Sequence, residues 1–501
     1  MFRAARNLWR LVVIARVLAR HDALEPLADT APWLVRPLRQ LVKPETDGRR
    51  LGQRLADAAV ALGPAFIKLG QAMSTRADLI GAEVAEDLAM LRDRLPPFPA
   101  DEARTVLADE LGQPIEALFI AFDDRAVAAA SIAQIHFATT SDGREVAVKI
   151  LRPGIEAAFR RDLDLLFWLA EWIQRTQPRL RRLRPVESVR AVADMVAIEM
   201  DLRLEGAAAS EMASNFTEDN SFNIPDIDWT RTARRVLTSA RVNGIPVDRR
   251  DALIEAGHDP LTVLEKAARA TFNQCFRDGF FHGDPHQGNL FVANDGNIWA
   301  VDFGIVGRLD IATRRYLAEM LMGFLDGDYA SVADVHFRAG YVPSDKDRGA
   351  FTQALRAIGE PILGLPVSEI SLGRLLGQLF HTTETFGMRT QPHLLLLQKV
   401  MVVAEGVGRD LYPQANMWEL ARPLTEAWME SHLGPAARAK VGAETAIGFV
   451  QRMPGLAQRA EEALDRLAAW DNHTSRHASP WPLLLAFAAG AVLMAILLTL
   501  M

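Results

Sequence analysis

The chain has 501 residues, of which 49% are hydrophobic and 24% charged, an ordinary globular composition. A net charge of -7 argues against a general nucleic-acid binder, and the single cysteine, Cys275, excludes an intrachain disulfide framework and Cys-based zinc sites. The length predicts roughly three structural units with a core that needs no covalent staples.

The N-terminus carries Arg3, Arg6, Arg10, Arg16 and Arg20 before its first acid, Asp22. Leu8, Leu11, Val12 and Ala15 share one helical face. Two readings stay open there: a basic amphipathic helix lying on an anionic membrane, or a plain surface helix packed on the domain. Residues 1–60 read as helical, and Pro96, Pro97 and Pro99 end the next helical block. A further helix is expected over 101–118, with Asp101 as its N-cap. The period then changes. Ile132 to Thr139 and Glu145 to Leu151 are β-rich runs around Ser141-Asp-Gly143, a hairpin signal. Helical periodicity returns over 155–176 and 186–215, separated by the basic cluster Arg179, Arg181, Arg182 and Arg184. That cluster reads as a solvated helix end or loop, with a lipid-facing patch as the alternative. A strand and loop are expected over 231–246 and a helix over 260–279. Leu290 to Val292 and Ile298 to Val301 form a second hairpin around Asn294-Asp-Gly296. From 311 to about 470 the pattern is helical. The last stretch, Leu483 to Met501, holds only Gly490 and Thr499 outside the strongly apolar set, and no charge follows Arg476. At 1.5 Å per residue it spans about 28 Å, close to a bilayer core. It is expected to be a tail anchor, with the large domain on the cytoplasmic side.

Three constellations carry chemistry. The first is Val146-Ala-Val-Lys149, a lysine expected at the end of a strand. Such a lysine can hold phosphate oxygens if the preceding loop folds over a nucleotide. Its partner would be a carboxylate on a following helix, where Glu199, Asp201 and Glu205 lie; a solvated acidic face is the alternative. The second is Phe281-His-Gly-Asp-Pro-His-Gln-Gly-Asn289 followed by Asp302-Phe-Gly304. Asp284 sits on a Gly/Pro-rich loop suited to present a carboxylate to a substrate hydroxyl. A hairpin would bring Asn289 and Asp302 together as two hard oxygen ligands for Mg²⁺ that phosphates also hold. His282 and His286 lack the further ligands a zinc site needs. Lysine, loop aspartate, Asn and Asp-Phe-Gly follow one another in kinase order, but the Gly-rich loop of ordinary protein kinases is absent. Its place is taken by Val127, Ala128, Ala129, Ala130, Ser131, Ile132, Ala133, Gln134 and Ile135. Alanines cannot take the positive-φ conformations by which glycines wrap phosphates. The third is Lys68-Leu-Gly-Gln71, then Ser74, Arg76 and Asp78. Lys68, Gln71, Ser74 and Asp78 share a helix face opposite Leu62, Phe66, Leu69, Met73 and Ile80; a simple surface helix fits this pattern equally well.

Together, K-x-G-Q-x-x-S-x-R-x-D, the Ala-rich segment, E-x-D, and H-G-D-x-H-x-G-N with D-F-G resemble the UbiB atypical kinase-like family, whose members support ubiquinone biosynthesis. The match covers roughly 60–310 by motif. It continues through Lys399-Val-Met-Val-Val-Ala-Glu-Gly-Val-Gly408 and Asn416, which resemble the family's later helical segment. The tail anchor is also similar to bacterial members. The resemblance implies an α+β, mostly helical, two-lobed protein-kinase-like fold. Its parts would be a helical extension over 1–115, an N-lobe over 116–250, a C-lobe over 251–420, helices and linker over 421–480, and an anchor over 481–501. Val127 to Ile135 would bind ATP, and Lys149 would contact phosphates while paired with Glu205. Asp284 would be the catalytic base, with Asn289 and Asp302 as Mg²⁺ ligands. Lys68 and Gln71, with Glu199 and Asp201, would mark a regulatory extension packed over the site where a peptide substrate would otherwise enter. Two residues depart from the family pattern. Gln287 replaces the proline usual in H-G-D-x-H-P-G-N, and Ala208 stands where asparagine is usual.

The expected function is a membrane-tethered, Mg²⁺- and ATP-using kinase-like protein or ATPase of the bacterial inner membrane. It would act on membrane lipids, quinone precursors or the enzymes that process them, and not on nucleic acid. Two rivals are a small-molecule or lipid phosphotransferase and a non-enzymatic nucleotide-binding scaffold. A quinone hydroxylase is argued against by the absence of a flavin fingerprint or iron-ligand triad.

Overall fold

The computed structural model describes residues 2–25, 48–74, 80–89, 91, 97–129, 132–176, 185–362, 378, 382–383, 385–388 and 392–433. Met1–Trp428 form one compact unit; of a second, Met429–Met501, only 429–433 is described. The apolar tail, Arg76, Asp78, Ala130, Ser131 and the Arg179–Arg184 cluster therefore lie outside the described residues. Among the described residues no helix is long and apolar enough to cross a membrane.

The N-terminal helices are α1 (Phe2–Arg20), α2 (Leu51–Leu62), α3 (Pro64–Ser74), α4 (Ala82–Ala89), α5 (Ala100–Leu111) and α6 (Ile115–Leu118). The helix expected over 101–118 is thus two. Gly112 takes a left-handed conformation (φ 65°) and closes α5, where an L side chain would be strained. Pro99 is the N-cap, and Asp101 lies in the first turn. The boundary drawn at 115/116 falls inside α6.

The first sheet draws on β1 (Phe119–Phe122), β2 (Ala128–Ala129), β3 (Ala133–Thr140), β4 (Glu145–Leu151) and, beyond a two-residue β5 (Phe222–Asn223) that pairs elsewhere, β6 (Val236–Ala240). Its spine is β1-β3-β4-β6, with β2 on β3 and every pairing antiparallel. The expected hairpin is present, with Thr139 opposite Glu145. Alternation along β4 buries Val146, Val148 and Ile150 against Val106 and Leu107 of α5. Each such fully buried aliphatic contributes about 1.5–3 kcal/mol.

Three helices follow: α7 (Ile155–Thr176), α8 (Pro185–Glu199) and α9 (Leu202–Asn215). The helical run expected over 186–215 breaks at Met200-Asp201, where Asp201 adopts extended backbone and caps α9 by accepting from Arg203 N–H. Ala65 of α3, Phe159 of α7 and Val192 and Val196 of α8 share one core cluster.

Next come β7 (Ile245–Pro246), α10 (Arg250–Glu255) and α11 (Pro260–Phe272). The helix expected over 260–279 changes to a π-turn at Asn273–Asp278 and stops at left-handed Gly279. Four more strands are β8 (Phe280–His282), β9 (Leu290–Val292), β10 (Ile298–Ala300) and β11 (Val306–Arg308). A four-stranded sheet runs β5-β10-β9-β7, and β8 pairs with β11. The expected β9–β10 hairpin is in register, with Ile298 opposite Val292. Helices α12 (Ile311–Leu325), α13 (Tyr329–Arg338), α14 (Arg348–Gly359), α15 (Pro392–Leu411) and α16 (Met417–Leu433) complete the described chain. Helix α16 runs across the boundary drawn at 420/421.

Helix α1 packs on the domain, as the second of the two open readings has it, burying Asn7 and Ala19. It docks on α7 through charge: Arg6 pairs with Asp164 at 2.7 Å, and Arg10 with buried Asp162 at 2.9 Å. Leu8, Trp9 and Val12 remain 56%, 72% and 55% exposed.

Candidate active site

Lys149 lies inside β4 rather than at its end, flanked by Ile135 on β3 and Leu237 on β6. Pairing on both sides fixes its backbone, and its side chain leaves the face opposite the Val146–Val148–Ile150 core. Lys149 Nζ donates to Glu205 Oε1 at 2.8 Å, to Glu205 Oε2 at 2.9 Å and to Asp302 Oδ1 at 2.9 Å. Glu205 comes from α9, one turn beyond the Asp201 cap. Asp201 and Glu205 thus do different work: Asp201 starts the helix and pairs with Arg203 at 2.6 Å, while Glu205 reaches Lys149. The solvated acidic face is overturned for Glu205 and Glu199, which are both largely buried.

Asp302 follows β10 with φ +66°, a left-handed conformation that aspartate tolerates better than most residues. Partial burial raises its carboxyl, but the Lys149 ammonium outweighs this and holds it well below the usual carboxylate range. Burial pushes the Glu205 carboxyl up to about 7, against the pull of Lys149. Burial also works against the Lys149 charge, yet the Asp302 and Glu205 carboxylates dominate and raise its pKa.

The loop after β8 is organised around His282. Its N–H donates to Gln274 Oε1 at 2.9 Å, its Nδ1 accepts from Asp284 N–H at 3.1 Å, and its Nε2 lies 3.2 Å from Val301 O. Those partners require the neutral Nε2–H tautomer. Burial lowers the His282 pKa in keeping with it. His282 also packs on Phe303, with ring centroids 5.0 Å apart. It is a structural pivot between the two motifs, and both ring nitrogens are spoken for. Asn289 Nδ2 donates to Asp284 O at 3.2 Å, leaving its amide oxygen as the group for a metal. Val301 N–H donates to Asn289 O at 2.9 Å, so the hairpin does bring Asn289 beside Asp302.

This donor set fits Mg²⁺. It offers one amide oxygen and one carboxylate held ionised, both hard ligands. Among the described residues no cluster of three His, Cys, Asp or Glu could form an all-protein cage. Mg²⁺ characteristically takes one or two protein oxygens and completes its shell with phosphates and water.

The Ala-rich segment is split in its roles. Ala128 and Ala129 pair with Ile135 and Gln134 as β2–β3, and Ile135 stands opposite Lys149. Val127 is half exposed, whereas Ile132, Ala133 and Gln134 are buried. Gln134 accepts from Phe98 N–H at 2.8 Å and donates to Phe98 O at 3.2 Å. Its side chain ties the segment before α5 to the sheet and does not line the cleft.

In the extension, Lys68 Nζ lies 2.9 Å from Glu199 Oε2, both side chains less than 10% exposed. Ile67 beside it is fully buried, so the simple surface-helix reading of α3 is overturned. Gln71 donates to Leu91 O at 3.3 Å, staying within the extension. The Ala208 departure is a core position, buried in the cluster around α9. Gln287 instead donates to Asp410 on α15. Asp284 faces Lys399 on that helix, at 3.0 Å. Lys399 opens the Lys399–Gly408 run, whose local pattern alone gives it no role.

The ABC1 atypical kinase-like domain matches residues 90–336, and the UbiB helical domain matches 355–416. A Marinobacter nauticus protein named "Probable protein kinase UbiB" is 39% identical over 91% of this chain and 85% of its own. An Azotobacter vinelandii protein of the same name is 37% identical over 97% of this chain and 93% of its own. The chain belongs to the UbiB family. A solved structure similar to it is the Rv3197–erythromycin complex from Mycobacterium tuberculosis, 25% identical with a TM-score of 0.52, covering 79% of this chain and 97% of that one. The kinase-like fold expected from the motifs is thereby established for this UbiB-family chain.

Proposed function

We propose that this UbiB-family protein is a Mg²⁺- and ATP-using atypical kinase or ATPase that serves ubiquinone biosynthesis at the bacterial inner membrane. The observation that carries the reading is Lys149 bridging Glu205 and Asp302, with Asn289 beside Asp302 and Asp284 on the same loop. Glu205 holds Lys149 in place for phosphate oxygens. Asn289 and Asp302 hold Mg²⁺, which supplies charge neutralisation for the phosphates. Asp284 takes the proton of the attacking hydroxyl or water as that oxygen bonds to the γ-phosphorus and ADP leaves. Ala128 and Ala129, in place of glycines, stiffen the strand above the nucleotide.

Membrane association is supported by the exposed Leu8, Trp9 and Val12 beside exposed Arg6 and Arg16 on α1. The apolar run Leu483–Met501 supports it from sequence. The likeness to a chain solved with erythromycin, a non-peptide molecule, favours a small molecule over a peptide as the partner. A small-molecule or lipid phosphotransferase is therefore the second reading. An ATP-turnover assay on anionic liposomes, with and without a quinone precursor, tests the function. Turnover that rises with lipid and precursor, without a phosphorylated lipid, supports a lipid-coupled ATPase. A phosphorylated precursor supports the second reading. Absence of nucleotide binding at millimolar Mg²⁺ refutes both.

A further inference from the structure

The loop from His282 to Asn289 contains no lysine or arginine. The cation beside it arrives from far along the chain. Lys399 projects from α15 and places Nζ 3.0 Å from Asp284 Oδ1, with both side chains about one third exposed (33% and 30%). The same helix holds the loop at a second point, where the Gln287 amide donates to Asp410 Oδ2. Lys399 and Asp410 are three helical turns apart to within roughly 20°, so both leave one face of α15. Leu396 closes the third contact. A Cβ on Gly283 would come within 2.7 Å of Ile305 and 3.1 Å of a Leu396 methyl carbon, so glycine here lets Leu396 of the helix approach the loop closely. An apolar contact, an ion pair and a hydrogen bond thus converge on one catalytic loop from one helix. The helix belongs to the segment matched by the UbiB helical domain, and the loop to the kinase-like segment.

A half-exposed ion pair adds little stability, typically less than about 1 kcal/mol. Its value here is orientation. Asp284 has rotamer freedom at a loop position, and a misplaced base loses much of its effect. We propose that Lys399 is the positioning residue for Asp284. Helix α15 sets the catalytic loop, and the Lys399 ammonium holds the carboxylate in the orientation from which it accepts the proton. The helical segment is then part of the phosphoryl-transfer machinery rather than a support packed behind it. This inference rests on the reading of Asp284 as proton acceptor.

The test uses full-length protein with Lys399→Met, Lys399→Arg and Asp410→Asn. Its first readout needs no nucleotide: backbone hydrogen exchange across 282–289. Lys399→Met should speed exchange there by about two- to fivefold, with β4 unchanged and Lys399→Arg close to wild type. Asp410→Asn should give a smaller rise centred on Gln287. The second readout is steady-state ATP turnover. Lys399→Met should lower kcat by roughly 10- to 100-fold with KM for ATP and the affinity for ADP within about twofold, and Lys399→Arg should recover most of it. Unchanged exchange across the loop overturns the proposal. So does an unchanged kcat, or a fall matched by an equal loss of ADP affinity. If Lys399→Met unfolds, Lys399→Arg decides by the same criteria, because it keeps the charge and must keep kcat. A wild-type chain that binds no nucleotide refutes the proposed function, while the exchange readout still decides whether Lys399 holds the loop.

Discussion

Replacing Lys68 with alanine takes the ammonium 2.9 Å away from the buried Glu199 carboxylate. The pair is 2.9 Å apart, with side-chain exposures of 9% and 7%, and it lies beside the cluster of Ala65, Val192 and Val196. Removing one partner of a buried pair costs about 3–5 kcal/mol, because the remaining charge keeps its desolvation penalty. Protonation offers an escape. Neutralising an ordinary glutamate at pH 7 costs about 4 kcal/mol, which caps the penalty near that figure, and at pH 5 the cap falls to about 1 kcal/mol. Spread over the unfolding entropy of so large a unit, this should shift thermal unfolding of Lys68→Ala down by about 3–5 °C at pH 7 and by much less at pH 5. The double variant Lys68→Met with Glu199→Leu removes both charges and should recover most of the loss. Differential scanning fluorimetry at the two pH values makes the comparison. A loss under about 1 °C for Lys68→Ala, or a double variant no better than the single, would refute the assignment of a buried charge pair between extension and core.

Other expectations follow from single contacts. A Cβ on Gly307 would sit 2.1 Å from the fully buried Phe281 ring, so Gly307→Ala should cost at least ~1–3 kcal/mol in denaturant titration. Burial pushes the Cys275 thiol up to about 12, so it should resist a disulfide reagent at pH 8 in the folded protein and react on unfolding. Burial raises Glu205 from its ordinary range to about 7, so its proton stabilises the folded state; that contribution is full below about pH 4.3 and is lost as pH rises through 7. Between pH 5 and 8, wild-type Tm should fall relative to Glu205→Gln in nucleotide-free protein; parallel curves would contradict the raised carboxyl.

Local signals were enough where structure is local. Period-two runs around Ser141-Asp-Gly143 and Asn294-Asp-Gly296 announce both hairpins, and Gly143 (φ 85°) and Gly296 (φ 73°) supply the positive-φ residues those turns need. The 155–176 helix was equally plain from its amphipathic period. Motif order made Lys149, Asp284, Asn289 and Asp302 legible because their chemistry fixes residue type and sequence. The remainder depends on partners that no short window contains. Lys399 acquires meaning only when α15 is laid over the loop. Gln134 looks like part of a nucleotide loop until Phe98 takes both ends of its amide. The Met200-Asp201 break is hidden because the apolar period continues across it, and only the cap from Asp201 reveals a new helix axis. On α1, Asp162 and Asp164 decide which face packs, against what the apolar stripe alone suggests.

The central claim is that Lys149, Asn289 and Asp302 form a Mg²⁺-nucleotide site. Isothermal titration of ATP with and without Mg²⁺, on wild type and Asp302→Asn, tests it most directly. Asparagine tolerates the φ +66° backbone, so the variant should keep the wild-type Tm within a few degrees. Wild type should bind more tightly with Mg²⁺ present, and Asp302→Asn should lose most of that Mg²⁺-dependent gain, on the order of tenfold or more. Equal affinities for the two proteins, or no binding by wild type, would contradict the account.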